Sequence, residues 1–440
     1  MRRAAIVLLL ALSGPALAQG RPDLTNARYD EDWSVLADKP AEGTDRFKYI
    51  PIGSDAWLTT GLELRARSEI YQNNLWGDTP HPDDGYVLLR ALPYADVHAG
   101  PVRVFVQPVA GYAASMADGA SPVDQTRVDL LQGFADVKLP VGDASLTLRG
   151  GRQMLPLGSE RIVGTRYGPN LPLAFDGGRA IIQSGAFKLS LFALRPVKPG
   201  PGSFDDASSP TKLLWGAYAT GPSLDLHYLG YRNRAASFAD GSGREVRHSL
   251  GARSFGRSGP WHWNVEAVLQ FGRFAGGDIL AWTVGSEFGH RSRGIDAMVR
   301  FDVISGDSHA GDGRLGTFNA LFPKGKYFGE LSPIGPYNII NLNPHVTIDL
   351  DERLTLGLAA QAYWRYATAD GIYDVPGNLL RGPGPGKFVG KQAEAVLDWA
   401  PTRTLSFTAS LSAFDPAGYI RATGPAGSIA MVGLEAGYKF

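Results

Sequence analysis

The chain of 440 residues carries 43 basic and 43 acidic side chains, so its zero net charge implies no bulk attraction to nucleic acid or to acidic surfaces. It contains no cysteine, which excludes disulfides, thiolate metal sites, a cysteine nucleophile and a cysteine-borne lipid anchor. With Gly 55, Tyr 17, Trp 9 and Phe 20 at only 44% hydrophobic residues and a mean hydropathy of −0.11, the composition suits many turns joined by strands that are apolar on one side only.

Met1-Arg2-Arg3, the apolar run Ala4 to Leu12 and the small-x-small site Ala16-Leu17-Ala18 predict a secretory signal over residues 1–18. Beyond it no window approaches the roughly 20 apolar residues that a membrane helix needs. Residues 19–56 are polar and Pro/Asp-rich, with one helical turn predicted at Glu31 to Leu36. They read as a periplasmic lead-in at or in a barrel mouth, the alternative being a disordered tail.

Period-two alternation then begins, and residues 57–440 read as one all-β unit. From Gly61 to Tyr71, Leu62, Leu64, Ala66, Ser68 and Ile70 face one way, while Glu63, Arg65, Arg67, Glu69 and Tyr71 face the other. Four charges on one strand face suit a water-filled lumen better than a soluble sandwich. The pattern returns at Val87 to His98, Val102 to Gln107, Trp263 to Phe271, Ile295 to Val303, Leu354 to Arg365 and Leu405 to Ala413. Apart from Val102 to Gln107, these windows are about 9–12 residues long, the span of a tilted transmembrane strand. The last window, Ser428 to Phe440, is apolar at Ala430, Val432, Leu434, Ala436, Tyr438 and Phe440 and ends in an aromatic pair suited to a membrane interface.

Connections alternate in length. Short ones fall at 99–101, 140–143, 221–223, 256–259, 351–353 and 401–403, and long ones at 72–85, 115–125, 154–177, 196–211, 234–245, 306–338, 366–387 and 415–427. Short periplasmic turns with long extracellular loops predict a transmembrane antiparallel barrel of about 18 strands.

Several stretches resemble the alginate export family of outer-membrane barrels. They include Glu31-Asp32-Trp33, Lys48-Tyr49-Ile50-Pro51, Gly151-Arg152-Gln153, Leu157-Gly158-Ser159-Glu160-Arg161 and Phe175-Asp176-Gly177. The most specific are Ser305-Gly306-Asp307 and the run from Gly313 to Glu330. The resemblance implies a monomer in the bacterial outer membrane whose arginine-rich lumen passes an anionic, alginate-like polysaccharide out of the cell, with outer-membrane lipid around it and periplasmic secretion partners beneath. A selective porin for small organic acids or sugars is the other reading.

The residues themselves place Arg65, Arg67, Arg90, Arg103, Arg149, Arg253, Arg300 and Arg365 on lumen faces. Guanidinium forks there would favour carboxylates. Arg152 has the lipid-facing parity, and a bulge at Gly150-Gly151 is expected to turn it inward. Acidic residues share these faces, among them Glu63, Asp96, Glu266, Asp302 and Glu394. The ladder is therefore either a positive constriction for a polyuronate or a structural set of cross-strand ion pairs in a generic pore. Asp302 to Asp312 lacks an EF-hand spacing, and no metal or cofactor is expected. Eight histidines are scattered without Gly-x-Ser-x-Gly or His-Glu-x-x-His, so no enzyme is expected.

Overall fold

The structure is a computed structural model that describes residues 21–39 and 43–440, so the expected signal at 1–18 lies outside the described residues. Its first long strands are β1 (Ala56–Gln72), β2 (Asp84–Ala99), β3 (Val102–Ala114), β4 (Arg127–Val141), β5 (Ala144–Gln153) and β6 (Phe175–Ser184). Next come β7 (Phe187–Lys198), β8 (Lys212–Thr220), β9 (Leu224–Phe238), β10 (Gly241–Ser258), β11 (Trp261–Phe274) and β12 (Gly277–Ser292). The circuit ends with β13 (Ile295–Ile304), β14 (Ile339–Asp349), β15 (Leu354–Arg365), β16 (Phe388–Trp399), β17 (Leu405–Pro416) and β18 (Ile429–Lys439). Each pairs antiparallel with its sequence neighbours, and β18 pairs with β1 from Glu63↔Lys439 to Gln72↔Ala430. The result is a closed barrel of 18 strands among the described residues. Closure leaves no strand edge for lipid to hydrate.

The wall inverts the ordinary burial rule. Leu64, Leu148, Leu226, Leu269, Leu358 and Leu434 stand exposed outside, whereas Glu63, Arg65, Arg90, Asp136, Arg149 and Gln270 are buried inside. Only a lipid exterior makes this arrangement favourable, since each large apolar side chain taken from water gains about 1.5–3 kcal/mol. Trp261, Phe187, Phe288 and Trp399 ring the short-turn end on the outside, at the level of a membrane interface.

One expected connection needs correction. Residues 234–245 are not a long loop, because β9 and β10 run on to Phe238 and Gly241 and leave only 239–240 as the turn. Near the rim the outer face of these strands turns polar at Arg234, Ser237, Ser242 and Arg244 while Ala236 and Phe238 stay buried within, so the apolar outer face that would mark a lipid-crossing strand is lost. The same extension joins β11 and β12 through 275–276 alone. A bulge opposite Pro108 in β3 absorbs the proline, which has no N–H to give the ladder.

Below the barrel the lead-in forms short 3-10 turns at Arg28–Asp30 and Trp33–Leu36, the second capped by the Asp32 side chain accepting from the Ser34 N–H at 3.0 Å. The Tyr29 ring stands edge-on to Phe105 and Phe134, and Arg28 donates to the Phe440 carbonyl at 2.7 Å. This segment packs against the inner wall at the short-turn end of the barrel.

The closing seam is polar within. Glu63 accepts from Arg90 at 2.6 Å and lies 3.3 Å from the Lys439 amine, and all three bridge strands β2, β1 and β18. Replacing Arg90 with Ala strips a buried carboxylate of its nearer partner. The expected cost is about 3 kcal/mol, read as an earlier loss of the heat-modifiable folded band in detergent. An unchanged unfolding profile would mean that the seam does not depend on this pair.

Candidate functional site: the lumen and its inward loops

The lumen of an 18-strand barrel is wide enough for water unless something fills it. Here two loops turn inward, 154–174 between β5 and β6 and 305–338 between β13 and β14. They are zipped together where Val163 bridges Phe322 in parallel. Backbone bonds from Gly164 N–H to the Phe322 carbonyl (2.8 Å), Phe322 N–H to Ile162 (2.9 Å) and Lys324 N–H to Glu160 (3.0 Å) make them one unit. Its apolar side joins Ile162, Val163, Phe322 and Phe328 with wall residues such as Phe175, Tyr231 and Tyr363 in one buried cluster.

Lumen arginines hold that unit by its carbonyls. Arg65 donates to the carbonyls of Tyr167 and Gly168 at 3.1 Å each and of Pro169 at 2.8 Å. Arg90 reaches the Tyr167 and Pro169 carbonyls at 3.2 and 3.3 Å with its guanidinium carbon 4.3 Å from the Tyr167 ring centroid. On the opposite wall Arg300 donates to the Tyr327 carbonyl at 2.5 Å while its Nε pairs with Asp302 at 2.7 Å. Arg247 does the same for Thr317 at 3.1 Å. The acids contribute too. Glu266 accepts from the Ser159 hydroxyl, and Glu394 from the Leu331 N–H at 3.0 Å and from Gln392 at 2.7 Å.

The other residues named from sequence fall into three groups. Arg103 with Asp96 (2.7 Å), Arg149 with Asp136 (2.8 Å) and Arg253 with Asp225 (2.7 Å) are cross-strand or near-strand pairs on the lumen wall. Arg103 and Arg149 also meet the lead-in, the first through the Tyr29 carbonyl at 2.6 Å and the second over the Tyr29 ring. Arg67 lies among Glu69, Glu330 and Glu435. Arg365 is fully buried with no carboxylate partner among the described residues; it donates to the carbonyls of Thr368 (3.2 Å), Asp370 (2.9 Å), Gly384 and Gly386 and so folds the loop 366–387 over the lumen.

Arg152 departs from expectation. The ladder through Gly150 and Gly151 has no bulge, so Arg152 stays on the outer face, where it pairs with Asp176 at 2.8 Å beneath the loop 199–211. It is not part of the lumen.

Sequence reasoning missed Arg161, Lys324, Lys326 and Glu330, because they sit in stretches read as extracellular loops. The signal available was the resemblance itself, which ran through Leu157 to Arg161 and through Pro323 to Glu330. Arg161 lies 3.2 Å from Glu287 and 3.7 Å from Asp302, beside Arg300. Lys324, in the same cluster, has no side-chain hydrogen bond or ion pair among the described residues. Burial, with Arg300 and Arg161 near and Glu287 only partly offsetting them, pushes its amine down to about 8. Among the described residues one carboxylate trio, Asp129, Asp205 and Asp206, lies close enough to share an ion, but its oxygens already accept from Gly200, Gly202, Thr126 and the Asp206 N–H.

Solved structures of similar fold are outer-membrane proteins of known shape. OpdK from Pseudomonas aeruginosa is 12% identical with a TM-score of 0.58, over 87% of this chain and 98% of that one. OccK2 (OpdF) from the same organism, solved in complex with glucuronate, is 14% identical with a TM-score of 0.58 over 87% and 98%. Acinetobacter baumannii OccAB3 is 11% identical with a TM-score of 0.57 over 87% and 99%. At such identities the likeness shows the fold alone. A comparison with curated protein sequences finds no match. The family model for alginate export matches residues 56–432, nearly the whole barrel, so this outer-membrane channel protein belongs to the alginate export family.

Proposed function

We propose that the barrel is a passive exporter of an anionic, alginate-like polysaccharide, and that Arg65, Arg90, Arg300 and Arg365 are the residues it exchanges with as it passes. The observation that carries this reading is that each of these guanidinium groups clamps neutral carbonyls of inward loops, at 2.5–3.3 Å, even where a carboxylate also pairs with it, as Glu63 does with Arg90 and Asp302 with Arg300. A carboxylate adds its own charge to the bond and accepts from the guanidinium fork bidentately, where each carbonyl accepts singly. A polyuronate can therefore displace the loops from the wall, while a neutral polymer cannot. Many such contacts of modest strength let the chain leave as well as enter. Residues 1–18 then serve as the export signal, and 19–56 as a lead-in that blocks the periplasmic mouth until a polymer or a secretion partner arrives. Arg67, set among Glu69, Glu330 and Glu435, and Arg103, Arg149 and Arg253, each paired with a wall carboxylate, tune the field rather than bind.

The second reading is a selective porin for small anionic solutes, favoured by the fold it shares with a barrel crystallised with glucuronate. Chain length separates the two. In planar bilayers oligouronates of several residues should block the current transiently at concentrations where glucuronate does not, and neutral oligosaccharides of equal length should not block at all. Equal potency of monomer and oligomer would favour the small-solute porin.

Lys324 supplies a pH test. Its amine is charged below about 8 and neutral above it, so anion preference in bilayers should weaken between pH 7 and pH 9. Lys324→Gln should start lower and stay flat over that range. A variant with the wild-type pH profile would remove Lys324 from the conduit.

A further inference from the structure

The outer wall carries a patch that its transport role does not use. Near the extracellular rim Asp176 of β6 faces Arg195 of β7, and Arg232 of β9 stands between Leu213 of β8 and Val246 of β10, which in turn faces Arg273 of β11. Their sequence neighbours Leu194, Leu214, Tyr231 and Glu245 are buried in the lumen, so the row points outward. Arg244 and Arg234 stand exposed one step nearer the rim. The acids of the row are occupied, Asp176 by Arg152 at 2.8 Å and by the Ser208 hydroxyl at 2.5 Å, and Asp278 by Arg273 at 2.9 Å. Arg195, Arg232, Arg234 and Arg244 have no carboxylate within 4 Å among the described residues; Arg195 donates to the Ser209 carbonyl at 3.1 Å, and the buried Nε of Arg232 has no partner among those residues.

On the periplasmic side of this row the same strands form a shallow apolar groove of about 590 Å³, walled by Leu148, Leu191, Trp215 and Tyr228 and floored by Gly178 and Ala193. The Tyr228 hydroxyl meets His248 at 2.8 Å at the groove's edge. Aromatic groups of this kind mark the level where acyl chains give way to headgroups.

We propose that this surface binds a phosphorylated, acylated lipid of the outer leaflet, its phosphate on Arg195, Arg232 and Arg244 and an acyl chain in the groove. Uncompensated guanidinium groups on a lipid-facing wall are unfavourable, by up to about 2–4 kcal/mol at the midplane and less near the interface. A phosphate removes that cost and matches the guanidinium fork bidentately. Strands about 4.8 Å apart put Arg195 and Arg232 within reach of one headgroup. A soluble polyanion would satisfy the arginines but leave the groove, which lies below them in the wall, unexplained.

Native mass spectrometry of the full barrel in detergent, with bisphosphorylated hexa-acyl lipid A as the probe, tests this. The wild type should retain the lipid and release phosphatidylcholine. The triple variant R195S/R232S/R244S should lose retention by about tenfold while keeping its heat-modifiable folded form. Ala193→Trp, which fills the groove and leaves every charge in place, should weaken it too. Equal retention by the triple variant, equal retention of phosphatidylcholine, or displacement of lipid A by equimolar inorganic phosphate would each overturn the proposal.

Discussion

The interaction on which the rest depends is the clamp between lumen guanidinium groups and the backbone carbonyls of the inward loops. Without it, loops 154–174 and 305–338 have no fixed place in a lumen wide enough to be wet, and the apolar cluster built on Val163, Phe322 and Phe328 loses its frame. With it, the barrel wall and its contents become one structure. Arginine suits the task because one planar fork can hold three or four carbonyls at once, as Arg65 and Arg365 do. It keeps its charge throughout. In the proposed exporter this clamp is also the anion site.

The wall is largely legible in the sequence because lipid outside and water inside impose the same period of two on every crossing. Glu63, Arg65, Arg67 and Glu69 announce a lumen face by their spacing alone, and Leu405 to Ala413 announces the lipid face as clearly. Legibility fails where one of those two solvents is missing. The tops of β9 and β10 turn polar on the outside at Arg234 and Arg244, so in sequence they resemble a loop at 234–245. Arg152 misleads for a related reason. An arginine at lipid-facing parity invites a bulge, whereas a folded-back loop and Asp176 make the outer position tolerable.

The interior is harder to read, since its contacts join residues distant in sequence. Nothing near Arg65 says that its partners are Tyr167 to Pro169, and nothing near Glu394 points to Leu331. An ion-pair ladder and a conduit look identical in one dimension. In three they separate into arginines neutralised by acids, such as Arg149 and Arg253, and arginines held only by carbonyls, such as Arg365. Shared barrel geometry with distant porins says little about cargo, which is decided by such loop contacts.

The central claim is that the inward loops must leave the wall for a polyuronate to pass. Because the chain has no cysteine, Ser159→Cys and Glu266→Cys can be joined by a short bis-maleimide, tying loop 154–174 to β11 where those side chains now touch. Efflux of oligouronate from liposomes should stop in the bridged protein and continue when each cysteine is alkylated separately. Undiminished efflux through the bridged barrel would contradict the account.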